Sequence, residues 1–303
     1  MYTVRVPYIR AGRIEWQGHG ARKYDGFELV REFGIFDLYR HTGGKDVLLL
    51  SWRRFGGSLV ADMDALMVFA EAGGLLDHDL IWDWTASRGG GLGAYAIQRL
   101  SPKKFKTTFG NLRLSDTTMP FIERKRRQIA ASNLSDGAPE ALDNGTWLME
   151  WLEGDVMKGL EAGQAYSNDV PFKTAHAPEW SDGIIHPAET HFTGKMVCLL
   201  GPYGGSHLDQ AVSIVADNKL GTIIGMPAGG YSNTWEWDEV VSFPISGQPV
   251  VEFMWDIGHT IRPNGQILEG NPADVDVSIP VTGQNYLDYY PTLLRRALAI
   301  LED

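Results

Sequence analysis

Short apolar runs and helical stripes alternate along most of this chain. Val47–Leu50 is a continuous apolar run of strand length. After it, Met63, Leu66, Met67 and Ala70 fall on one face of a helix predicted over Met63–Ala72. Leu80–Trp82 is a second buried strand, and Gly89-Gly90-Gly91 leads into a helix over Leu92–Leu100. The pattern resumes with a strand at Met196–Leu200, a helix at Ser206–Asn218 and a strand at Thr222–Ile224. Val240–Ile245 and Val250–Trp255 read as a hairpin across Ser246-Gly247. A last helix over Asn285–Leu301 carries the stripe Leu287, Leu294, Ala297 and Leu301. Apolar strands separated by helices imply an α/β fold with a mostly parallel sheet.

Two stretches depart from this alternation. Residues 1–45 hold short β-rich runs (Tyr2–Tyr8, Phe27–Val30, Ile35–Tyr39). Residues 119–193 are less regular, with a helix predicted over Glu140–Leu160 and a Pro/His/Trp-containing loop up to Phe192. The expected organisation is a β-rich segment over 1–45 and a core over 46–303 that carries 119–193 as an insertion.

The chain has 303 residues, 44% hydrophobic and 21% charged, with a formal net charge of −11. That balance argues against nucleic acid as a partner, because phosphate recognition needs clustered Lys and Arg. Arg124-Lys125-Arg126-Arg127 is the one basic run and reads as a solvated helix face. The single cysteine, Cys198, excludes an internal disulfide and sits in an apolar strand, as a buried structural thiol does. No apolar stretch reaches membrane-spanning length, and the N-terminus lacks the apolar core of a signal peptide. The Asn-x-Ser/Thr matches at Asn133 and Asn144 do not decide the compartment, which stays open.

The candidate chemistry lies in Leu199-Leu-Gly-Pro-Tyr-Gly-Gly-Ser206-His-Leu-Asp209. A strand ends, a Gly-Gly pair permits a tight turn, and Ser206 stands where a helix begins. A hydroxyl there is flanked by unpaired N–H groups and the positive end of the helix dipole. Both lower the cost of an alkoxide and of the oxyanion formed on attack at a carbonyl. The same residues also fit a capping box, with Ser206 as the N-cap and Asp209 three residues on.

Four segments in order decide between these readings. Leu80-Ile-Trp-Asp-Trp-Thr-Ala-Ser-Arg-Gly-Gly-Gly91 resembles the strand, aspartate, polar loop and double glycine of the C-terminal processing (tail-specific) serine peptidases. Ser206, Asp217 and Gly225-Met-Pro resemble that family's nucleophile, helix-end Asp and Gly-x-Pro turn. Leu268-Glu-Gly-Asn-Pro-Ala-Asp274 resembles its late motif. The resemblance covers about residues 46–118 and 194–302. It implies a crotonase/Clp-peptidase-like β-α spiral core, a peptide or protein substrate and no cofactor. It also implies Ser206 as nucleophile, with the N–H of His207 and of Gly89 or Gly90 as the oxyanion hole.

One departure assigns the branch. Where the larger branch has a lysine base, this chain has Tyr231, and a phenol of pKa ~10 is mostly a hydrogen-bond donor at neutral pH. The Ser/His/Glu branch, which includes the tricorn core and a chlamydial secreted protease, places its Glu in the late motif, and Glu269 matches that position. In that branch the histidine lies in an N-terminal cap before a peptide-binding module. Here His41 is the expected base, with His259 and the weaker His19 as alternatives, and a base from outside the chain stays open. So do a homo-oligomer and association with an N-terminal fragment. His186-Pro-Ala-Glu189-Thr-His191 has metal-ligand residue types but lacks helical spacing, so no metal site is expected. The glycine runs at 89–91 and 201–205 lack the Lys-Ser/Thr of a phosphate loop. The function expected is peptide-bond hydrolysis through an acyl-enzyme on Ser206. The alternatives are a degenerate peptidase fold that binds peptides or scaffolds partners, and a related esterase.

Overall fold

A computed structural model describes residues 2–5, 24–87, 89–133, 144–172, 182–201, 204–232 and 235–302. His19 and residues 140–143 of the expected long helix lie outside them. The chain runs β1 (Tyr2–Arg5), β2 (Phe27–Glu32), β3 (Phe36–His41), β4 (Val47–Trp52), α1 (Leu59–Ala72), β5 (Asp79–Asp83) and α2 (Gly93–Leu100). It continues with β6 (Phe105–Lys106), β7 (Phe109–Leu112), α3 (Thr118–Asn133), α4 (Asn144–Trp151), α5 (Met157–Glu161), β8 (Val170–Pro171) and β9 (Ile184–Ile185). Then follow β10 (Met196–Leu200), α6 (His207–Asp217), β11 (Thr222–Gly225), β12 (Glu236–Ser242), β13 (Pro249–Asp256), β14 (Gly258–Ile261), β15 (Val277–Ser278) and α7 (Tyr289–Glu302).

The central sheet has the order β15-β11-β10-β5-β4-β3-β2. Its middle pairs, from β4 to β15, are parallel, while β2, β3 and β4 pair antiparallel. Successive residues of each strand feed opposite faces, as the two-residue period requires. Leu48, Leu50, Leu80, Trp82, Cys198 and Leu200 pack under α1, α2 and α6. Val47, Leu49, Ile81, Val197, Leu199 and Ile224 pack under α7. Burial on both sides explains why these strands are apolar throughout rather than alternating. The same burial pushes the Cys198 thiol pKa well up and leaves it a packing group.

A second core gathers Leu112, Phe121, Ile122, Trp151, Leu152, Val156, Trp235 and Ile257. It lies among α3, the α4–α5 run and the small sheets β14-β7-β8 and β1-β13-β12. A π-helical turn, Leu152–Val156, joins α4 to α5. Among the described residues no helix is long and apolar enough to cross a membrane.

Several boundaries differ from those expected. Strand β1 is described over Tyr2–Arg5, with residues 6–8 of the expected run outside the described residues, and it pairs with β13, some 250 positions downstream (Tyr2 opposite Trp255). The hairpin strands are β12 and β13, and a loop over 243–248, closed by Phe243 N–H to the Gln248 carbonyl (2.9 Å), separates them. Leu287 is not on the last apolar stripe: it precedes α7 and is 87% exposed. Tyr289 and Leu293 fill that face instead. The basic run falls on α3 but is not freely solvated. Arg124 pairs with Asp238 (2.5 Å) and lies over the Trp237 ring, and Arg126 pairs with Glu153 (2.7 Å).

Candidate active site

The parallel strands place four loops at their C-terminal edge, where open α/β sheets hold their ligands. Phe55-Gly56 follows β4, Gly89-Gly90-Gly91 follows β5, Gly204-Gly205-Ser206 follows β10, and Gly225, the last residue of β11, leads into Met226-Pro227. These loops press together so closely that only glycine fits at several points. A Cβ on Gly90 (φ +147°) would lie 2.0 Å from the Phe55 carbonyl oxygen. One on Gly225 (φ +123°) would lie 2.0 Å from the Leu200 oxygen.

Ser206 itself has φ 60° and ψ −132°, a conformation that glycine tolerates and other residues adopt at a cost of about 1–3 kcal/mol. Three contacts hold it there. Its N–H donates to the Tyr231 carbonyl (2.8 Å). The Asp209 carboxylate accepts from Gly230 N–H (3.2 Å) and Tyr231 N–H (3.1 Å), fixing the strip to which Ser206 is tied. Gly229 N–H donates to the Gly204 carbonyl (2.8 Å). The capping-box reading therefore fails. The Ser206 hydroxyl makes no cap bond, and Asp209 serves the 229–231 strip rather than the Ser206 N–H.

Among the described residues, the partner of Ser206 Oγ is the Ser232 carbonyl, at a long 3.4 Å. Against the hydroxyl lies the main chain of Gly89. A Cβ there would fall 2.4 Å from Ser206 Cβ and 2.7 Å from Oγ. The next residue, His207, opens α6, so its N–H has no acceptor within the helix. The Gly89 backbone, the Ser206 hydroxyl and the positive end of α6 thus meet at one point.

The His207 ring meets the start of α2. Its Nε2 accepts the Gly93 N–H at 2.6 Å, and the ring lies edge-on to Phe55, centroids 5.4 Å apart. Burial pushes its pKa down to about 4, so the imidazole is neutral at pH 7. Burial pushes Asp209 the other way, up to about 6, against the pull of the Tyr231 and Gly230 N–H groups, with a further rise from the Glu269 charge. An acid whose folded pKa is raised stabilises the fold below its unfolded value and loses that contribution as pH rises through the folded one. Asp209→Asn is therefore expected to flatten the stability profile between about pH 4 and 6, read as the denaturation midpoint against pH. An unchanged slope in that window would assign it elsewhere.

Glu269 reaches the same region. It is half-buried and accepts Thr260 N–H (3.0 and 3.3 Å), and the adjacent Gly270 N–H donates to the Gly230 carbonyl (2.7 Å). Burial first, and then the Glu269 charge, also raises the pKa of Asp256 to about 6. Arg262 anchors this loop. Its guanidinium forms a bidentate pair with Asp217 at the end of α6 (2.6 and 3.1 Å) and donates to the Asn271 (3.1 Å) and Pro272 (3.3 Å) carbonyls. Sequence reasoning missed Arg262. The signal was an arginine directly after the short strand β14, ahead of the turn that leads to Glu269.

The expected base is misplaced. Arg40 pairs with Leu48, Leu48 with Leu80 and Leu80 with Met196, so His41 lies beyond the N-terminal level of β10, while Ser206 follows its C-terminal end. Strand rise and spacing put roughly 15–20 Å between them. His41 instead packs on Phe27 and accepts Gly43 N–H (3.1 Å). His259 stacks on Tyr166 (5.0 Å) rather than reaching Glu269. His191 Nδ1 sits 2.6 Å from the Ala188 carbonyl, and no trio of metal-ligating side chains gathers among the described residues.

No family model and no curated protein matches the sequence. Solved structures do match in fold. Mature CPAF complexed with lactacystin aligns with a TM-score of 0.61 over 98% of this chain and 62% of its own, at 16% identity. The fold is that of the C-terminal processing peptidases. A CPAF variant with one serine changed to alanine aligns at TM-score 0.56 over 91% of this chain and 53% of its own, at 14% identity. A Parabacteroides merdae protein designated a candidate peptidase aligns at 0.54, over 91% and 66%, at 13% identity. The chain thus spans less than two thirds of the length of these neighbours. Within this C-terminal processing peptidase fold, the carboxyl edge of the sheet carries the loops around Ser206.

That arrangement makes Gly89 sensitive. Gly89→Ala would push a methyl against Ser206, so the loop has to move. The expected loss in the rate of reaction with an acylating or phosphonylating probe is about 10²–10³-fold, the scale of one lost oxyanion donor. Rates within threefold of the parent would mean that the loop takes no part.

Proposed function

We propose that this chain is the catalytic core of a serine peptidase that cleaves peptide or protein substrates through an acyl-enzyme on Ser206. The observation that carries this reading is the strained Ser206, whose hydroxyl caps nothing and faces the Gly89 backbone at the start of α6. Such strain persists only where surrounding contacts impose it, and it concentrates at functional sites. A nucleophile at a sharp strand-to-helix turn is exposed in this same way in other serine hydrolases.

In the reaction, Ser206 Oγ bonds to the scissile carbonyl carbon while its proton passes to a general base. The N–H groups of His207 and of Gly89 or Gly90 receive the carbonyl oxygen as it becomes an oxyanion. Collapse expels the amine, which takes the proton, and water then releases the acyl group by the same path. Glu269 supports a histidine base in this scheme. On this reading the β-α units of residues 46–303 wind as a crotonase-like spiral, with 1–45 as a β-rich segment and 119–193 as an insertion.

A second reading, a degenerate peptidase fold that binds peptides without turnover, has one observation in its favour. Among the described residues no histidine ring is hydrogen-bonded to Ser206 or Glu269. A fluorophosphonate probe separates the two. The parent is expected to label covalently at Ser206 and Ser206→Ala to stay unlabelled; a parent that does not react belongs to the second reading.

A further inference from the structure

Residue 207 contributes two separate groups to the site. Its N–H stands at the head of α6 beside Ser206, and its imidazole reaches across to the helix that follows the glycine loop. Gly93 is the first residue of α2, and Leu92 before it is left-handed (φ 68°). The Gly93 N–H is one of the exposed donors at a helix start, and no side chain of its own segment caps it. His207 Nε2 does so at 2.6 Å, across 114 residues. The fit is close on every side. A Cβ on Gly93 would lie 2.7 Å from Nε2 and 3.4 Å from Ala211 Cβ, and the ring is braced by Phe55. Phe55 also presses on the loop directly, through its carbonyl under Gly90.

We infer that the His207 imidazole is a positioning residue that latches the Gly89–Gly91 loop to the head of α6. It thereby sets the spacing between the two backbone donors that face the Ser206 carbonyl adduct. One donor belongs to the loop and the other to His207 itself, so a single hydrogen bond ties the two halves of the oxyanion site. To accept from Gly93, Nε2 has to be unprotonated, so the neutral ring carries its proton on Nδ1. A misplacement of about 1 Å between groups that act together costs on the order of 10²-fold in rate, so one latch has a measurable effect. The inference rests on the serine-peptidase reading, because only an oxyanion gives the spacing a purpose.

Three measurements on the full chain at pH 7.5 test it: amide hydrogen exchange at Gly93, the ¹⁵N signature of the His207 ring, and the second-order rate of fluorophosphonate labelling. His207→Phe keeps the ring packing and the backbone N–H but removes the acceptor, with His207→Leu as the smaller substitute if the larger ring does not fold. His207→Gln restores an acceptor oxygen at similar reach. The expected results are an unprotonated Nε2 in the parent and Gly93 exchange at least tenfold faster in the Phe variant. Labelling should be about 10–100-fold slower in that variant, and both quantities should return most of the way in the Gln variant. A protonated Nε2, or unchanged Gly93 exchange, overturns the latch. Faster exchange with labelling at the parent's rate overturns the positioning role. A parent that never labels removes the peptidase reading and this role with it, while the exchange data still report the bond.

Discussion

Ser206→Gly is expected to abolish turnover and, in the same protein, to raise stability. On the proposed reading the hydroxyl is the attacking group, so its removal should lower peptide hydrolysis by on the order of 10⁶-fold, the loss typical of a deleted serine nucleophile. The backbone argument runs the other way. At φ 60° the Ser206 Cβ is strained, and glycine releases about 1–3 kcal/mol of that strain. Against this, glycine adds roughly 0.5–1 kcal/mol of chain entropy to the unfolded state. The balance is a gain of about 1 kcal/mol, or some 2–4 °C in melting temperature. Calorimetry and a peptide hydrolysis assay on the same preparation check both halves. Retained turnover would remove Ser206 from the chemistry, and a lower melting temperature would show that the side chain is held there by favourable contacts instead.

Arg262→Met should be the most destabilising substitution outside the apolar core. Arg262 and Asp217 are both 8% exposed, and removing one member of a buried pair leaves the other desolvated and uncompensated. Losses of about 3–5 kcal/mol follow from broken pairs of this kind. Arg262→Lys is expected to recover little, because an ammonium cannot span both Asp217 oxygens and the Asn271 and Pro272 carbonyls. Arg262→Met combined with Asp217→Leu should recover much of the loss by replacing both charges with apolar volume. Denaturant midpoints of the four proteins test this series. A single-variant cost below about 1 kcal/mol would contradict it.

The legible parts of this protein were those governed by local pattern. Strands buried on both faces are continuous apolar runs, which is why Val47–Leu50, Leu80–Trp82, Met196–Leu200 and Thr222–Ile224 could be read directly. The turn before Ser206 was legible because glycine is required where loops touch. What eluded the sequence depends on long-range closure. The strain at Ser206 is imposed by Tyr231 and Asp209, and the role of the His207 ring by Gly93. His41 stood just before a core strand in sequence, but β3 runs antiparallel to β4, and that reversal carries it to the far end of the sheet. Leu287 fitted a helical stripe, yet the helix begins only at Tyr289.

The tie between Gly270 and Gly230, with Arg262 bridging its loop to Asp217, has a bearing on biosynthesis. A ribosome delivers the Ser206 segment before the residues that brace it, and loop closure over such separations is slow to nucleate. A nascent chain that has emerged only as far as α6 carries Ser206 without the strip that strains it or the loop that bears Glu269. The strained geometry at Ser206 becomes available only when the C-terminal third has joined the sheet. The topology itself thus delays the strained turn at Ser206 until the segments that enclose it have been made.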